Sequence, residues 1–458
     1  MGHESHLRRW TSEAPWWQGL TSYHWFVLVV AALGWLFDTM DQQLFNLARV
    51  PAMRELVVRS GDSEQEARER VAYYGGLATA IFLIGWAAGG VLFGILGDRI
   101  GRARVMVLTI LVYSLFTGLS ALSVGFWDFA LYRFLTGLGV GGEFAVGVAL
   151  VAEVMPDRAR PFALGLLQAL SAVGNISAAA ISMVFGHLEE SGAVGSAWRG
   201  MFLVGIAPAL LAVLIRRRLR EPERWQAVAS TTAAAQLGSL RELFGDPRWR
   251  SRALIGLVLA FSGVVGLWGI GFFSIDLQRM VFRKHFEQAG LSPTEIEGRL
   301  TYWAGVTSIM LNLGAFFGIY SFSLVTHRLG RRPTFAIAFV AALLSTALVF
   351  SSLDQFHEIF WMIPLMGFCQ LALFGGYAIY FPELFPTRLR STGTSFCYNV
   401  GRLVAAIGPF TLGYLTSVVF SGYTEPMRPA GLAMCTIFVL GLLVLPLAPE
   451  TRGKPLPE

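Results

Sequence analysis

Twelve mostly apolar runs alternate with short polar segments along the chain, each close to the ~20 residues that span a ~30 Å hydrocarbon layer as a helix. They lie near residues 24–48, 74–96, 104–124, 127–150, 161–185 and 199–216, then 252–275, 301–325, 333–352, 357–381, 391–417 and 428–448. No ten-residue alternation of apolar and polar positions, the mark of an outer-membrane barrel, is present, and a backbone in lipid must satisfy its own hydrogen bonds. The pattern predicts an all-α membrane protein with twelve transmembrane helices in two six-helix bundles. Its parts are a lead-in at 1–23, a bundle at 24–216, a polar linker at 217–251, a second bundle at 252–448 and a tail at 449–458.

The two bundles carry the same markings. Gly94-Ile95-Leu96-Gly97-Asp98-Arg99-Ile100-Gly101-Arg102-Ala103-Arg104 separates the second and third runs, and a blurred copy, Thr326 to Arg332, returns 229 residues later, half of the 458. Glu153 to Arg160 after the fourth run is echoed by Glu383 to Arg390 after the tenth, at an offset of 230. A repeat at half-length predicts two related bundles joined in the middle.

Composition agrees: 54% of residues are hydrophobic and 14% charged, against about 25% charged in soluble domains. The formal net charge of +6 sits mostly in short loops, where cations set orientation. This argues against a nucleic-acid partner. The loops at 97–104 and 326–332 and the linker are rich in Arg, which predicts that they and both termini face the cytoplasm of a multi-pass plasma-membrane protein. Glu221-Pro222-Glu223-Arg224-Trp225 and Arg241-Glu242-Leu243-Phe244 suit amphipathic helices lying against the membrane or under the bundles. Cys369, Cys397 and Cys435 have no metal-ligand spacing, so neither metal nor cofactor is expected, and a monomer is the expected state.

The Gly94 to Arg104 stretch resembles the signature loop between helices two and three of the major facilitator superfamily, intact at Gly97, Asp98, Arg99, Gly101 and Arg102. Arg133-Phe134-Leu135-Thr136-Gly137 resembles a second motif of that family, whose Arg is assigned to proton transfer. Glu221 to Trp225 and Pro449 to Glu458 are similar to the sugar-porter and metabolite:proton symporter branches. The resemblance runs from Asp38 to the last residue and implies a cytoplasmic gate that closes between the bundles. Its members would be Gly97, Asp98, Arg99, Gly101, Arg102, Glu153, Arg158, Arg328, Arg331, Glu383 and Arg388. His327 stands where the first copy has Asp98, so the gate should be uneven.

Charges inside apolar runs are the candidates for function, since each costs roughly 2.5–3.5 kcal/mol at a helix centre unless it faces a cavity or a partner. They are Asp38 and Asp41 in the first run, Arg133 and Glu143 in the fourth, and Arg402 in the eleventh. Asp38 and Asp41, three residues apart, share a helix face with Gly34, Gln42 and Phe45; they suit proton loading and release, or are simply hydrated near an outer mouth. The pair resembles the aromatic-acid:proton symporters, with Thr39 in place of their glycine. Arg133 and Glu143 stand about 15 Å apart along one helix and do not pair. Glu143, after Gly137, Gly139, Gly141 and Gly142, is a proton carrier or half of an ion pair.

Arg402, one turn from Tyr398 and beside Asn399, suits a carboxylate or phosphate, or else balances Asp38 or Asp41. Gln168, Asn175, Trp268, Asn312, Gln370, Tyr377 and Tyr380 lie at similar depth and either line the same cavity or bridge helices. The expected function is a proton-coupled symporter that imports a small organic anion or related metabolite by alternating access. A sugar or polyol symporter is the alternative, ahead of a drug-efflux antiporter or a membrane sensor. Motifs of intramembrane enzymes are absent from the runs, so an enzyme is not expected.

Overall fold

A computed structural model describes residues 15–458 apart from 211, 213–217, 232–235, 272, 273 and 406. The first fourteen residues of the expected lead-in and the expected end of the sixth run at 216 lie outside the described residues. The first bundle comprises α1 (Ser22–Val57), α2 (Glu64–Ile100), α3 (Arg102–Ser120), α4 (Phe126–Val154), α5 (Arg160–Glu190) and α6 (Ala197–Val204). Short helices α7 (Glu223–Ala229) and α8 (Leu240–Gly245) follow. The second bundle begins with α9 (Pro247–Val264), extended by a π-helical stretch to Gly271, and continues through α10 (Ser274–Gln288), α11 (Pro293–Leu329), α12 (Arg331–Ser352) and α13 (Ile359–Leu384). It closes with an interrupted helix, α14 (Arg390–Ser395), α15 (Gly401–Ala405) and α16 (Ile407–Tyr414), and with α17 (Met427–Met434) and α18 (Ile437–Val444).

Among the described residues ten helical segments are long and apolar enough to cross a membrane. The shorter apolar segment Ala197–Leu210 and the interrupted run from Arg390 to Val419 supply the other two of the twelve crossings. π-Helical turns at Phe396–Val400 and Leu415–Val419 break the interrupted run, and no apolar periodicity foretells them.

Several helices overrun the apolar runs. The first continues to Val57 and α2 begins at Glu64, while α11 begins at Pro293 and α9 at Pro247, which shortens the linker expected at 217–251. Capping chemistry extends them into polar sequence. Glu66 accepts the Ser63 backbone N–H at 2.8 Å, Glu295 accepts that of Ser292 at 2.9 Å, and the Asp246 carboxylate accepts the Arg248 N–H at 2.8 Å.

The half-length repeat is legible at single residues. Ser63 and Ser292 cap the helix of the second membrane crossing in their bundles, and 229 positions also separate Gly89 from Gly318 and Gly101 from Gly330. At Gly89 a Cβ would collide with the Leu138 backbone, and at Gly318 with that of Phe368, so α2 lies on α4 as α11 lies on α13. Gly101 and Gly330 turn the chain at φ of 113° and 99°.

Glu221 and Glu450, again 229 apart, each cap the helix that starts after that turn. Glu221 accepts the N–H groups of Ala103 (3.2 Å) and Arg104 (3.1 Å), and Glu450 accepts those of Arg331 and Arg332, both at 3.0 Å. A carboxylate at a helix N-terminus meets both the free donors and the positive end of the dipole. Burial opposes the charge of Glu450, but the backbone N–H groups of Arg331, Arg452 and Arg332, with the Arg331 guanidinium, hold its carboxyl below the ordinary glutamate value. A carboxyl so depressed contributes stability that is present at neutral pH and lost as the pH falls through its lowered value. Glu221→Ala and Glu450→Ala are each expected to cost about 0.5–2 kcal/mol, read as a lowered thermal midpoint in detergent; an unchanged midpoint in both would remove the capping role.

Both short helices sit beneath the bundles at this end. Buried Trp225 of α7 donates Nε1–H to the Asp98 carbonyl at 2.7 Å, Gly238 N–H donates to the Arg388 carbonyl at 2.9 Å, and Arg388 pairs with Glu242 of α8 at 2.8 Å.

Candidate functional site

Five charged side chains expected from sequence are buried in the middle of the fold. Their helices bring them to one region. Asp41 on α1 accepts from Thr117 of α3 at 2.6 Å and stands 3.8 Å from Arg133 of α4. Arg133 donates twice to Ser120 Oγ (3.1 and 2.7 Å) and once to Thr136 (3.1 Å), and its guanidinium lies 4.6 Å from the centre of the Phe202 ring. Asp41 and Arg133 therefore form a self-contained pair within the first bundle. Sequence spacing alone left Arg133 without a named partner.

Asp38 and Glu143 are arranged differently. Glu143 accepts from Thr109 of α3 at 2.7 Å and lies against Gly34, one turn from Asp38, where a Cβ would meet its carboxylate. Among the described residues neither Asp38 oxygen receives a hydrogen bond. The charges of Glu143, Asp41 and Arg402 all act on it.

Arg402 belongs to the second bundle but is built into the seam. Its guanidinium stacks 4.1 Å from the Trp86 ring centre on α2 and 4.7 Å from that of Tyr398, and Nη2 donates to the Tyr398 hydroxyl at 3.0 Å. The Tyr398 ring in turn stacks on Phe144 of α4 at 4.1 Å and lies 6.5 Å from Trp35 of α1. Asn399, expected to bind substrate, is committed across the seam: it accepts Trp86 Nε1–H at 2.9 Å and donates to the Gly141 carbonyl at 3.1 Å. The π-helical turn at Phe396–Val400 presents these side chains together to the first bundle.

The remaining polar candidates separate into two groups. Asn175 bonds Asn312 across the bundles at 2.9 Å, and both line a cavity of ≈ 130 Å³ with Gln42, Gln43, Asn46 and Gln278. Among the described residues its walls contain amides, hydroxyls and the apolar side chains of Leu267, Ile275, Leu311 and Leu371, and no charged side chain. Gln370 bonds Thr346 at 2.7 Å, Tyr377 donates to the Leu259 carbonyl at 2.6 Å, and Tyr380 donates to the Pro449 carbonyl at 2.7 Å. These three serve contacts within the second bundle or to the tail. Gln168 is buried on α5. Gln43, Asn46 and Gln278 escaped the sequence reading, and Gln42 entered it only as a neighbour of the Asp38 and Asp41 face, because an uncharged amide carries no marked cost in a span.

The end bearing Gly101 and Gly330 is clamped shut by an uneven network. Asp98 accepts the backbone N–H groups of Ser391 (3.1 Å) and Thr392 (2.8 Å) at the start of α14, and the Thr392 hydroxyl at 2.6 Å. Arg102 lies 2.9 Å from Asp98 and donates to Glu153 at 3.0 Å and to the Thr387 carbonyl at 2.6 Å. Arg390 of the opposite bundle reaches the same Glu153 oxygen at 2.7 Å. Arg99 donates to the Leu237 carbonyl at 3.2 Å.

In the second copy Arg331 and Glu383 pair at 2.7 Å within one bundle, and Thr451 of the tail donates to Glu383 at 2.6 Å. His327, under the charges of Arg452, Arg331, Arg158 and Arg328, rests its ring 5.2 Å from that of Phe162. Trp16 completes that contact, stacking on Phe162 at 5.7 Å and donating to the Tyr320 hydroxyl of α11 at 3.2 Å.

The description of the Major Facilitator Superfamily matches residues 61–409. The chain belongs to this superfamily. It is 33% identical over 95% of its length to a putative metabolite transport protein of Haemophilus influenzae, covering 99% of that protein. It is 30% identical over 92% of its length to a probable 4-methylmuconolactone transporter of Cupriavidus pinatubonensis, covering 89% of it. The proton:xylose symporter XylE superposes with a TM-score of 0.75 over 95% of this chain and 98% of XylE at 18% identity, which establishes the shared fold. As a major facilitator protein this chain is a multi-pass membrane transporter of small molecules rather than an enzyme.

Proposed function

We propose that this transporter is a proton-coupled symporter that imports a small organic anion across the plasma membrane as a monomer. The observation that carries the reading is Arg402, a buried cation at the seam of the bundles with Asp38 within electrostatic reach. The relatives that carry 4-methylmuconolactone and cis,cis-muconate support a small organic acid or its lactone as cargo. The Arg-rich clamped end faces the cytoplasm, as do both termini and the linker. The closed clamp leaves the amide-lined cavity on the outward side, and the bundles then rock about Arg402 to open the other way.

Charge accounting links the proton to the cargo. Asp41 and Arg133 neutralise each other, while Asp38 is the counter-charge of Arg402 when no cargo is bound. A carboxylate arriving at Arg402 takes over that role. An ionised Asp38 would then be buried without a partner at a cost of several kcal/mol, which a proton removes. Glu143 is the group next to it that can pass or share that proton.

A gradient of about one pH unit supplies about 1.4 kcal/mol per proton and so about tenfold accumulation. Asp38→Asn in proteoliposomes is expected to lose this accumulation while still exchanging labelled for unlabelled cargo. Full gradient-driven accumulation by Asp38→Asn would refute the coupling assigned to Asp38, and the same result with Glu143→Gln would remove Glu143 from the relay. A sugar or polyol symporter is the second reading, favoured by the uncharged walls of the amide-lined cavity.

A further inference from the structure

Beyond the central charges, the end of the first bundle opposite the clamp holds a groove of ≈ 670 Å³ between α1 and α2. Among the described residues its walls include Arg49, Arg54 and Arg68 and no acidic side chain. Arg49 is the least exposed of these. Its stem lies along Gly75, and Nη1 donates to the Thr79 hydroxyl at 2.9 Å. Among the described residues no acid forms an ion pair with Arg49, so a half-buried cation points at the groove with only a neutral partner. Arg54 and Arg68 touch Glu64 at 3.7 and 3.9 Å, all three on exposed side chains, contacts worth little that an incoming anion can displace.

The groove is placed next to the cavity already described. Asn46 lines the amide-walled cavity, and Arg49 and Val50, three and four residues further along α1, line the groove. At 1.5 Å per residue the two are about 6 Å apart along the helix, on adjoining turns of one face. An anion entering along this face of α1 would meet three guanidinium groups and then the amides of Asn46 and its neighbours.

We infer that the Arg49–Arg54–Arg68 groove is an oxyanion-binding vestibule that captures the carboxylate of the cargo before it enters the central cavity, an assignment that rests on the reading of the cargo as an anion. A cationic mouth with low-dielectric walls concentrates anions and raises their on-rate in a salt-dependent way. The same chemistry would hold a phospholipid phosphate, so the test must separate the two.

Uptake of labelled cis,cis-muconate under an inward proton gradient is measured in vesicles of a phosphate-free galactolipid for wild type, Arg49→Gln/Arg68→Gln and Arg49→Lys/Arg68→Lys. The Gln pair is expected to raise KM about tenfold at low salt with kcat unchanged, and to flatten the salt dependence; the Lys pair restores most of both. An unchanged KM in the Gln pair overturns the vestibule. So does an effect that appears only when phosphatidylglycerol is added, which would put a lipid phosphate in the groove. If wild type takes up no muconate, the reading of the cargo is what fails. The vestibule then stands or falls on equilibrium binding of muconate to Arg402→Ala protein in detergent: weak, salt-sensitive binding that Arg49→Gln abolishes supports it, and absence of binding overturns it.

Discussion

Arg402→Ala is expected to lower kcat/KM for an organic anion at least about a hundredfold, the consequence of losing about 2.7 kcal/mol or more from a desolvated charge contact. The guanidinium is held by the Trp86 face and the Tyr398 hydroxyl, so its position is set before cargo arrives. Arg402→Lys keeps the charge but loses the flat face and the paired donors, and should fall between the two. Folding is a separate matter, because on the proposed charge pairing the Ala variant leaves Asp38 buried without its counter-charge. Adding Asp38→Asn is therefore expected to restore the thermal midpoint of Arg402→Ala without restoring uptake. Uptake of an organic anion by Arg402→Ala at wild-type efficiency would remove Arg402 from the binding site, and loss of anion uptake with intact xylose uptake would set the anion reading above the sugar reading.

The fold was legible because the lipid environment imposes it. Runs of apolar residues about one bilayer long permit helices and little else, and the charged turn at Gly94 to Arg104 repeats at half-length. Helix lengths were less legible, since Ser63, Ser292 and Asp246 cap helices that continue through polar sequence hydropathy assigns to loops. The repeat extends to single residues: the 229 spacing relates Glu221 of Glu221-Pro222-Glu223 to Glu450 of Pro449-Glu450, two acids with the same capping role. Membrane charges announced themselves by their cost, which is why Asp38, Asp41, Arg133, Glu143 and Arg402 could be named. Their pairing could not be read, because it depends on how α1, α3 and α4 rotate against one another. That rotation matches Asp41 with Arg133 and leaves both Asp38 oxygens without a hydrogen bond among the described residues. Asn399 fell on the wrong side of the same limit, since its bond to Trp86 depends on a π-helical turn without a sequence periodicity of its own.

Asp98→Ala is expected to open the clamped end. The Asp98 carboxylate gathers two backbone N–H groups and a hydroxyl from α14 and stands against Arg102, all buried. Removing one partner of such a buried charged network costs about 3–5 kcal/mol, and the cost falls only on the state in which the bundles meet here. A bias of that size shifts the ratio of the two states by roughly a hundredfold to a few thousandfold. The second half of the seam offers less resistance: His327 replaces the carboxylate, and its closure relies on stacking at Phe162 and the Trp16 bond to Tyr320. Trp16→Ala should therefore shift the same equilibrium in the same direction by a smaller factor, about tenfold or less, as expected for one half-buried hydrogen bond and one ring contact. Spin labels at exposed Ile100 and Leu329, one on each bundle at this end, read the opening as a longer interlabel distance by pulsed electron resonance. An unchanged distance distribution in Asp98→Ala would mean that the network is held by Glu153 and its two arginines, and that Asp98 serves the fold of its own turn.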